Sequence, residues 1–179
     1  GKISDQEHAA RQLARPLESL ALSLDDPEAR IVPNEPRGVD PTLFAIHPGS
    51  GSERKCWPRE RFVVLAQSLL NESKARKLLL VGGEADEERL AELEERLPND
   101  RISLARNLSL PVLANLLQNC GMFIGHDSGI SHLAAAVGTP SLLLFGPSDP
   151  AIWAPQNPQV RVLPAADLTL EGITASRVL

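Results

Sequence analysis

From Thr42 onward, short apolar runs and helix-spaced segments take turns, and small-residue turns follow several of the runs. Thr42–Ile46, Leu78–Val81, Arg101–Leu104, Met122–Ile124 and Ser141–Phe145 each read as a strand, with Gln159–Leu163 as a sixth. Between them lie four helical patterns. Pro58 opens the first, whose apolar face is Phe62, Leu65, Ala66, Leu69 and Leu70. The second is strongly acidic, turns Leu90, Leu93 and Leu97 inward and stops at Pro98-Asn99. Ser109 caps a third that carries Val112, Leu113, Leu116 and Leu117, and Ser128–Val137 is a fourth, rich in small residues. Strand and helix joined repeatedly by short links predict an α/β fold. It is a Rossmann-like parallel sheet with helices on both faces and right-handed crossovers. Ligands of such sheets bind beyond the carboxyl ends of the strands. The Gly-rich turns of this chain all fall on that edge.

The first 40 residues have another character. Ala10, Leu13, Leu17, Leu20 and Leu24 recur at helical spacing, but Pro16 should kink or divide the segment. Pro27, Pro33, Pro36, Pro41 and Gly38 then mark a linker. The expected organisation is a helical arm and Pro-rich linker over 1–40 and one domain over 41–179, which suits a chain of 179 residues. Residue 1 is Gly and the sole Met is Met122, which fits a piece of a longer protein.

Composition narrows the function. The net charge is −5, with 18 Lys and Arg against 23 Asp and Glu, so nucleic acid is not an expected partner. Two Trp, four Phe and no Tyr leave few rings on which bases could stack. No apolar run is long enough to be a transmembrane segment. The two cysteines, Cys56 and Cys120, form no disulfide framework, and a reducing compartment follows.

Four strand-end segments carry chemistry. His47-Pro48-Gly49-Ser50-Gly51-Ser52 precedes Arg54-Lys55, and small residues let backbone N–H groups approach a phosphate. It is neither a Walker loop nor a dinucleotide fingerprint, since Arg54 stands where each needs Gly. A plain turn with a solvated Arg54-Lys55 pair also explains it. Gly82-Gly83 leads into Glu84, Asp86, Glu87 and Glu88. An acid after a strand can accept both ribose hydroxyls, and acids in a first helical turn also meet the helix dipole without any ligand. The third segment, Gly125-His126-Asp127-Ser128-Gly129-Ile130-Ser131-His132, is the most specific. Asp127 or Ser128 caps a helix whose first free N–H groups favour an anion. Its Gly-x-x-Ser-Gly order is not a nucleophile elbow, and the six-residue steps between Cys120, His126 and His132 do not suit a metal. In the fourth, Ser148 and Asp149 of Phe145-Gly146-Pro147-Ser148-Asp149-Pro150 could line the same cleft, and a Pro-rich capping loop with Trp153 as its hydrophobic plug explains them equally well.

In order and spacing, these four segments resemble the heptosyltransferases of glycosyltransferase family nine, over roughly residues 42–155. The resemblance implies the C-terminal, donor-binding half of a two-domain GT-B-type enzyme. Its activity would be inverting transfer of heptose from ADP-heptose to a lipopolysaccharide-core-type acceptor, with no metal and no cofactor. By the same resemblance Ser50 and Lys55 contact the diphosphate, and Asp127, Ser128, Gly129 and His132 line the diphosphate and sugar end. Glu87 is the expected ribose ligand, with Glu84 as its rival. The partners implied are a nucleotide sugar and, through an N-terminal half not present here, a lipid-linked glycan. That half would supply the general base, so this chain alone should transfer no sugar. A cytoplasmic location follows, with the inner face of the membrane as the place of action. Two other readings stay open: a non-catalytic nucleotide-binding module, and a sugar-nucleotide epimerase of similar architecture.

Overall fold

A computed structural model describes residues 3–179. Six strands form one sheet: β1 (Asp40–Ile46), β2 (Lys77–Gly82), β3 (Ile102–Arg106), β4 (Cys120–His126), β5 (Ser141–Phe145) and β6 (Val160–Pro164). Their order is β3-β2-β1-β4-β5-β6, and every neighbouring pair is parallel. Each strand read from the sequence is present, with ends moved by up to two residues. β4 moves by two at both ends, and its terminal Cys120 and His126 are as buried as its centre.

Why the sheet is covered on both faces is visible along β2. Its side chains alternate between two separate cores: Leu78 and Leu80 join one, Leu79 and Val81 the other. The helices follow in chain order: α1 (Ala9–Ala14), α2 (Arg59–Glu72), α3 (Glu87–Arg96), α4 (Leu110–Leu117), α5 (Gly129–Ala136), α6 (Pro150–Trp153) and α7 (Ala175–Val178). α2, α3 and α7 cover the first face, where Phe62, Leu65, Leu90 and Leu93 pack with Ile46 and Ile124. α4 and α5 cover the second, with Leu113, Leu117, Ala134 and Ala135 against Ala45, Phe123 and Leu143. Pro58 stands just before α2, as expected. Ser109 occupies the N-cap of α4, but its side chain makes no capping bond. α4 also buries Leu113, Ala114 and Leu117 and leaves Val112 and Leu116 outside. The sequence pattern fits two adjacent helix faces, and packing against the sheet and α5 selects one.

The arm divides where Pro16 predicts: α1 gives way to a 3-10 turn over Arg15–Leu20, and Ala21 ends it with φ 57°. Leu13, Leu17 and Leu20 stay 67%, 47% and 68% exposed. Residues 22–39 contain no helix or strand, yet they are fastened to the domain. Ile31 N–H donates to Ala136 O (2.8 Å), Asn157 Nδ2 to Ala29 O (2.9 Å) and Gln118 Nε2 to Glu35 O (2.9 Å). At the other end, a 3-10 turn at Leu170–Gly172 and α7 fold back on α2, where the Trp57 indole donates to Ile173 O at 2.9 Å. These tail elements are too short to show any periodicity in the sequence.

Candidate functional site

The strand order reverses between β1 and β4, so their carboxyl ends diverge into a crevice. A cleft of about 570 Å³ opens there. Its walls come from the turn after β1, the turn after β2, the start of α5, and Ala29 and Ile31 of the fastened linker.

The β1 turn is anchored before it can bind anything. His47 N–H donates to Ile124 O at 3.0 Å, which fixes the turn beside β4. His126, fully buried at the end of β4, accepts from Trp57 N–H (2.9 Å) through Nε2 and donates from Nδ1 to Gly49 O (3.1 Å). Those partners fix its tautomer. Burial pushes its basicity down to about 3, so the ring is a neutral staple between β4 and the turn rather than a ligand.

Five of the expected residues converge on the cleft or its floor. Ser50, Ser128, Gly129 and His132 line it directly. Asp127 lies just beneath: its carbonyl accepts from Ser50 Oγ at 2.7 Å, and its carboxylate takes the Lys55 ammonium at 2.5 Å. Lys55 therefore reaches the site as half of an ion pair and is not part of the cleft wall. Ser128, not Asp127, caps α5, its Oγ accepting from Ser131 N–H at 3.3 Å. Behind it, the N–H groups of Gly129 and Ile130 have no partner within the helix. The added Cβ of a side chain at Gly51 or Gly129 would meet nothing within 4 Å, so both face open space. His132 stands one turn into α5, and burial lowers its basicity against the pull of Asp127.

The acids after β2 differ in where they stand. Glu84 and Glu87 are exposed and lie off the cleft wall; Asp86 is buried and on it. A 3-10 turn over Glu84–Asp86 precedes α3 and swings this one carboxylate back toward β1. Asp86 Oδ2 accepts from Gly83 N–H at 2.9 Å and lies 3.4 Å from His47 Nε2. Burial alone would raise the Asp86 carboxyl; the bonds from His47 and Gly83 and the charge of Arg89 outweigh it and hold it below the usual carboxylate range. Gly49 explains its own residue type here. A Cβ on it would fall 1.6 Å from Asp86 Oδ1, so only glycine leaves the carboxylate its place. Reading the motifs singly missed both His47 and Asp86 as members of one cluster. The signal was the pair of small turns on neighbouring strands, which the parallel β1–β2 pairing brings together.

Ser148 and Asp149 do not line this cleft. Asp149 caps α6 by accepting from Ala151 N–H at 2.8 Å. Trp153 lines a neighbouring hollow that also involves His8 and His132. Among the described residues, no helix is long and apolar enough to cross a membrane.

A doubly wound parallel sheet whose switch-point crevice is floored by a small-residue turn and a capped helix start defines a Rossmann-like α/β domain. Within that class, the chain belongs to glycosyltransferase family 9 (heptosyltransferase), whose family model matches residues 7–169. Lipopolysaccharide heptosyltransferase 2 of Salmonella typhimurium is 29% identical over 161 residues, 87% of this chain and 46% of that protein. Lipopolysaccharide heptosyltransferase 1 of Escherichia coli O18:K1:H7 is 27% identical over 98% of this chain and 55% of its own length. The glycosyltransferase family 9 structure from Veillonella parvula superposes with a TM-score of 0.81 at 24% identity, covering 99% of this chain and 60% of that one. The E. coli heptosyltransferase WaaC with ADP gives 0.78 at 23% identity, covering 99% and 57%; these two likenesses show the fold. The chain spans between about a third and about half of the curated relatives it matches.

Proposed function

We propose that this chain is the donor-binding half of a glycosyltransferase that moves heptose from ADP-heptose to a lipopolysaccharide-core-type acceptor. The observation that carries the reading is the convergence of Ser50, Ser128, Gly129, His132 and Asp86 on one switch-point cleft, in a chain of this family. Relatives named as heptosyltransferases, and a solved relative named with ADP, support donor and nucleotide. Residues 41–179 form the donor-binding domain in this proposal, and 1–40 the arm that joins it to the acceptor side.

The residues divide the donor by charge. The leaving group is a nucleoside diphosphate, whose negative charge grows as the glycosidic bond breaks and must be met by fixed donors. Free N–H groups at the start of α5, the Ser128 hydroxyl and the Lys55 ammonium supply them, joined by the Ser50 hydroxyl once it turns from Asp127 O to the phosphate. Asp86 lies in the turn that follows β2, a place from which a carboxylate can accept ribose hydroxyls. We therefore assign the ribose to Asp86 in place of Glu87. His132, one turn along α5, faces the sugar end. No residue of this chain is assigned as the general base; acceptor binding and deprotonation fall to an N-terminal half, and the place of action is the cytoplasmic face of the membrane.

Calorimetry with ADP tests the assignment. Wild type and Glu87→Gln should bind alike, while Asp86→Asn should lose about 10-fold or more, the scale of a hydrogen bond to a charged group. Equal binding by Asp86→Asn and wild type would remove Asp86 from the ribose site. Absence of any ADP binding would remove the donor-domain reading itself.

A further inference from the structure

His47 is 4% exposed, yet both nitrogens of its ring meet side chains that line the cleft. Nε2 faces the Asp86 carboxylate at 3.4 Å and Nδ1 faces Ser128 Oγ at 3.3 Å. The ring thus spans the turn after β2 and the start of α5, which share no backbone hydrogen bond.

Counting protons shows what the ring controls. Ser131 Oγ donates its proton to His126 O, so toward Ser128 it can only accept. Ser128 Oγ also accepts from Ser131 N–H, and its single proton has two takers: Ser131 Oγ at 3.1 Å and His47 Nδ1. In the neutral ring the proton sits on Nε2, facing Asp86, and the lone pair on Nδ1 takes the Ser128 proton. In the charged ring Nδ1–H donates to Ser128 Oγ instead. The Ser128 proton is then released toward the cleft or Ser131. Charge on His47 therefore turns Ser128 from a donor to histidine into a donor available to an anion.

We propose that His47 is a positioning residue of the nucleotide site, holding Asp86 and Ser128 in their binding geometry and taking up a proton when an anionic nucleotide enters. This rests on the nucleotide reading given above. Around the ring stand Asp86 from the β2 turn, His126 of β4, kept neutral by burial, and Arg89 of α3, whose guanidinium is engaged by Glu53 and Trp57 O. Adding a diphosphate to a cleft that His47 lines adds negative charge beside the ring and favours its protonated form.

The test is calorimetry of wild type and His47→Gln with ADP-ribose, whose doubly esterified diphosphate does not itself titrate near neutrality. Measurements at one pH in buffers of different ionisation enthalpy count the protons bound. Wild type should take up a fraction of a proton, and its affinity should rise as the pH is lowered from about 8 to about 6, the range over which imidazole charges. Glutamine keeps hydrogen-bonding groups but cannot charge, so His47→Gln should show no uptake, a flat pH profile and roughly 10-fold weaker binding at the acid end. No proton uptake by wild type, or an unchanged pH profile in a folded His47→Gln, overturns the inference while leaving the nucleotide reading in place. Failure of wild type to bind ADP-ribose at any pH overturns both. If His47→Gln does not fold, the buffer dependence of wild type decides alone.

Discussion

In the proposed donor site, Asp127 holds the Lys55 ammonium in place before any ligand arrives. The ammonium lies 2.5 Å from the carboxylate, and its side chain remains about one-third exposed while that of Asp127 is nearly closed off. Exposed pairs of this kind contribute little to folding. Their value lies in direction, because the pair keeps a positive charge at the mouth of the β1 turn. Lys55→Ala should weaken ADP binding about 10- to 100-fold and leave adenosine binding unchanged, since only the diphosphate meets the charge. The loss has two sources, a missing cation and a bared Asp127 carboxylate beneath the phosphates. Arg54→Ala, which removes a charge with no ion-pair partner among the described residues, should cost less. Calorimetry of both variants with both ligands checks this, and equal ADP affinity for Lys55→Ala and wild type would make the turn merely structural. At this scale the sequence was legible where a motif names its residue, as with Ser128 and His132. It was illegible where neighbours compete. Glu84, Asp86, Glu87 and Glu88 are chemically near-equivalent as text. What separates them is a one-turn 3-10 segment and the space left by Gly49, both products of tertiary contact.

Among the elements, β4 and the β1 turn depend on one neutral imidazole. His126 unfolded would take up a proton near pH 6.5, but folded it resists protonation down to about 3. Between those values the unfolded state binds the extra proton, so this group's contribution is complete above about pH 6.5 and is lost as the pH falls. Its slope approaches about 1.4 kcal/mol per pH unit, one proton's worth. Chemical denaturation of wild type and His126→Gln across pH 7 to 4.5 should differ by that slope, with the variant less stable at neutral pH and less sensitive to acid. Parallel profiles would mean that the ring is not the staple described. Element identities were plain in the sequence because buried parallel strands read as unbroken apolar runs, such as Leu78–Val81, whatever their neighbours do. Faces were less plain. Val112, Leu113, Leu116 and Leu117 fit two adjacent helix faces, and only packing against the sheet and α5 decides that Leu113 and Leu117 go inward.

For the whole molecule, the arm is the part left unresolved by the domain's own packing. Its linker is hydrogen-bonded to the domain and helps wall the cleft, which the Pro-rich sequence did not suggest. Leu13, Leu17, Leu20 and Leu22 remain outside. Replacing Leu13, Leu17 and Leu20 together by Ser should change the melting free energy of this chain by no more than about 0.5 kcal/mol per site, the usual range for exposed positions. A large loss in thermal unfolding would show that the stripe is already covered. The same chain should transfer no heptose from ADP-heptose to a lipid-linked acceptor, because in the proposed division of labour it neither holds nor deprotonates the attacking hydroxyl. Detectable transfer by the 179-residue chain would refute the division of labour proposed for the two halves.

The placement of the two tryptophans makes the molecule its own optical probe. Trp57 is sealed, 0% exposed, with its indole tied to the C-terminal tail, whereas Trp153 is 39% exposed and shares a hollow with His132. With no tyrosine to contaminate the signal, ultraviolet emission separates into a shielded component and one open to soluble quenchers. Acrylamide should extinguish the Trp153 light first, and peeling the tail from α2 should red-shift the Trp57 light. Occupancy beside His132 and detachment of the tail can thus be followed on an unlabelled sample, in two colours of one spectrum.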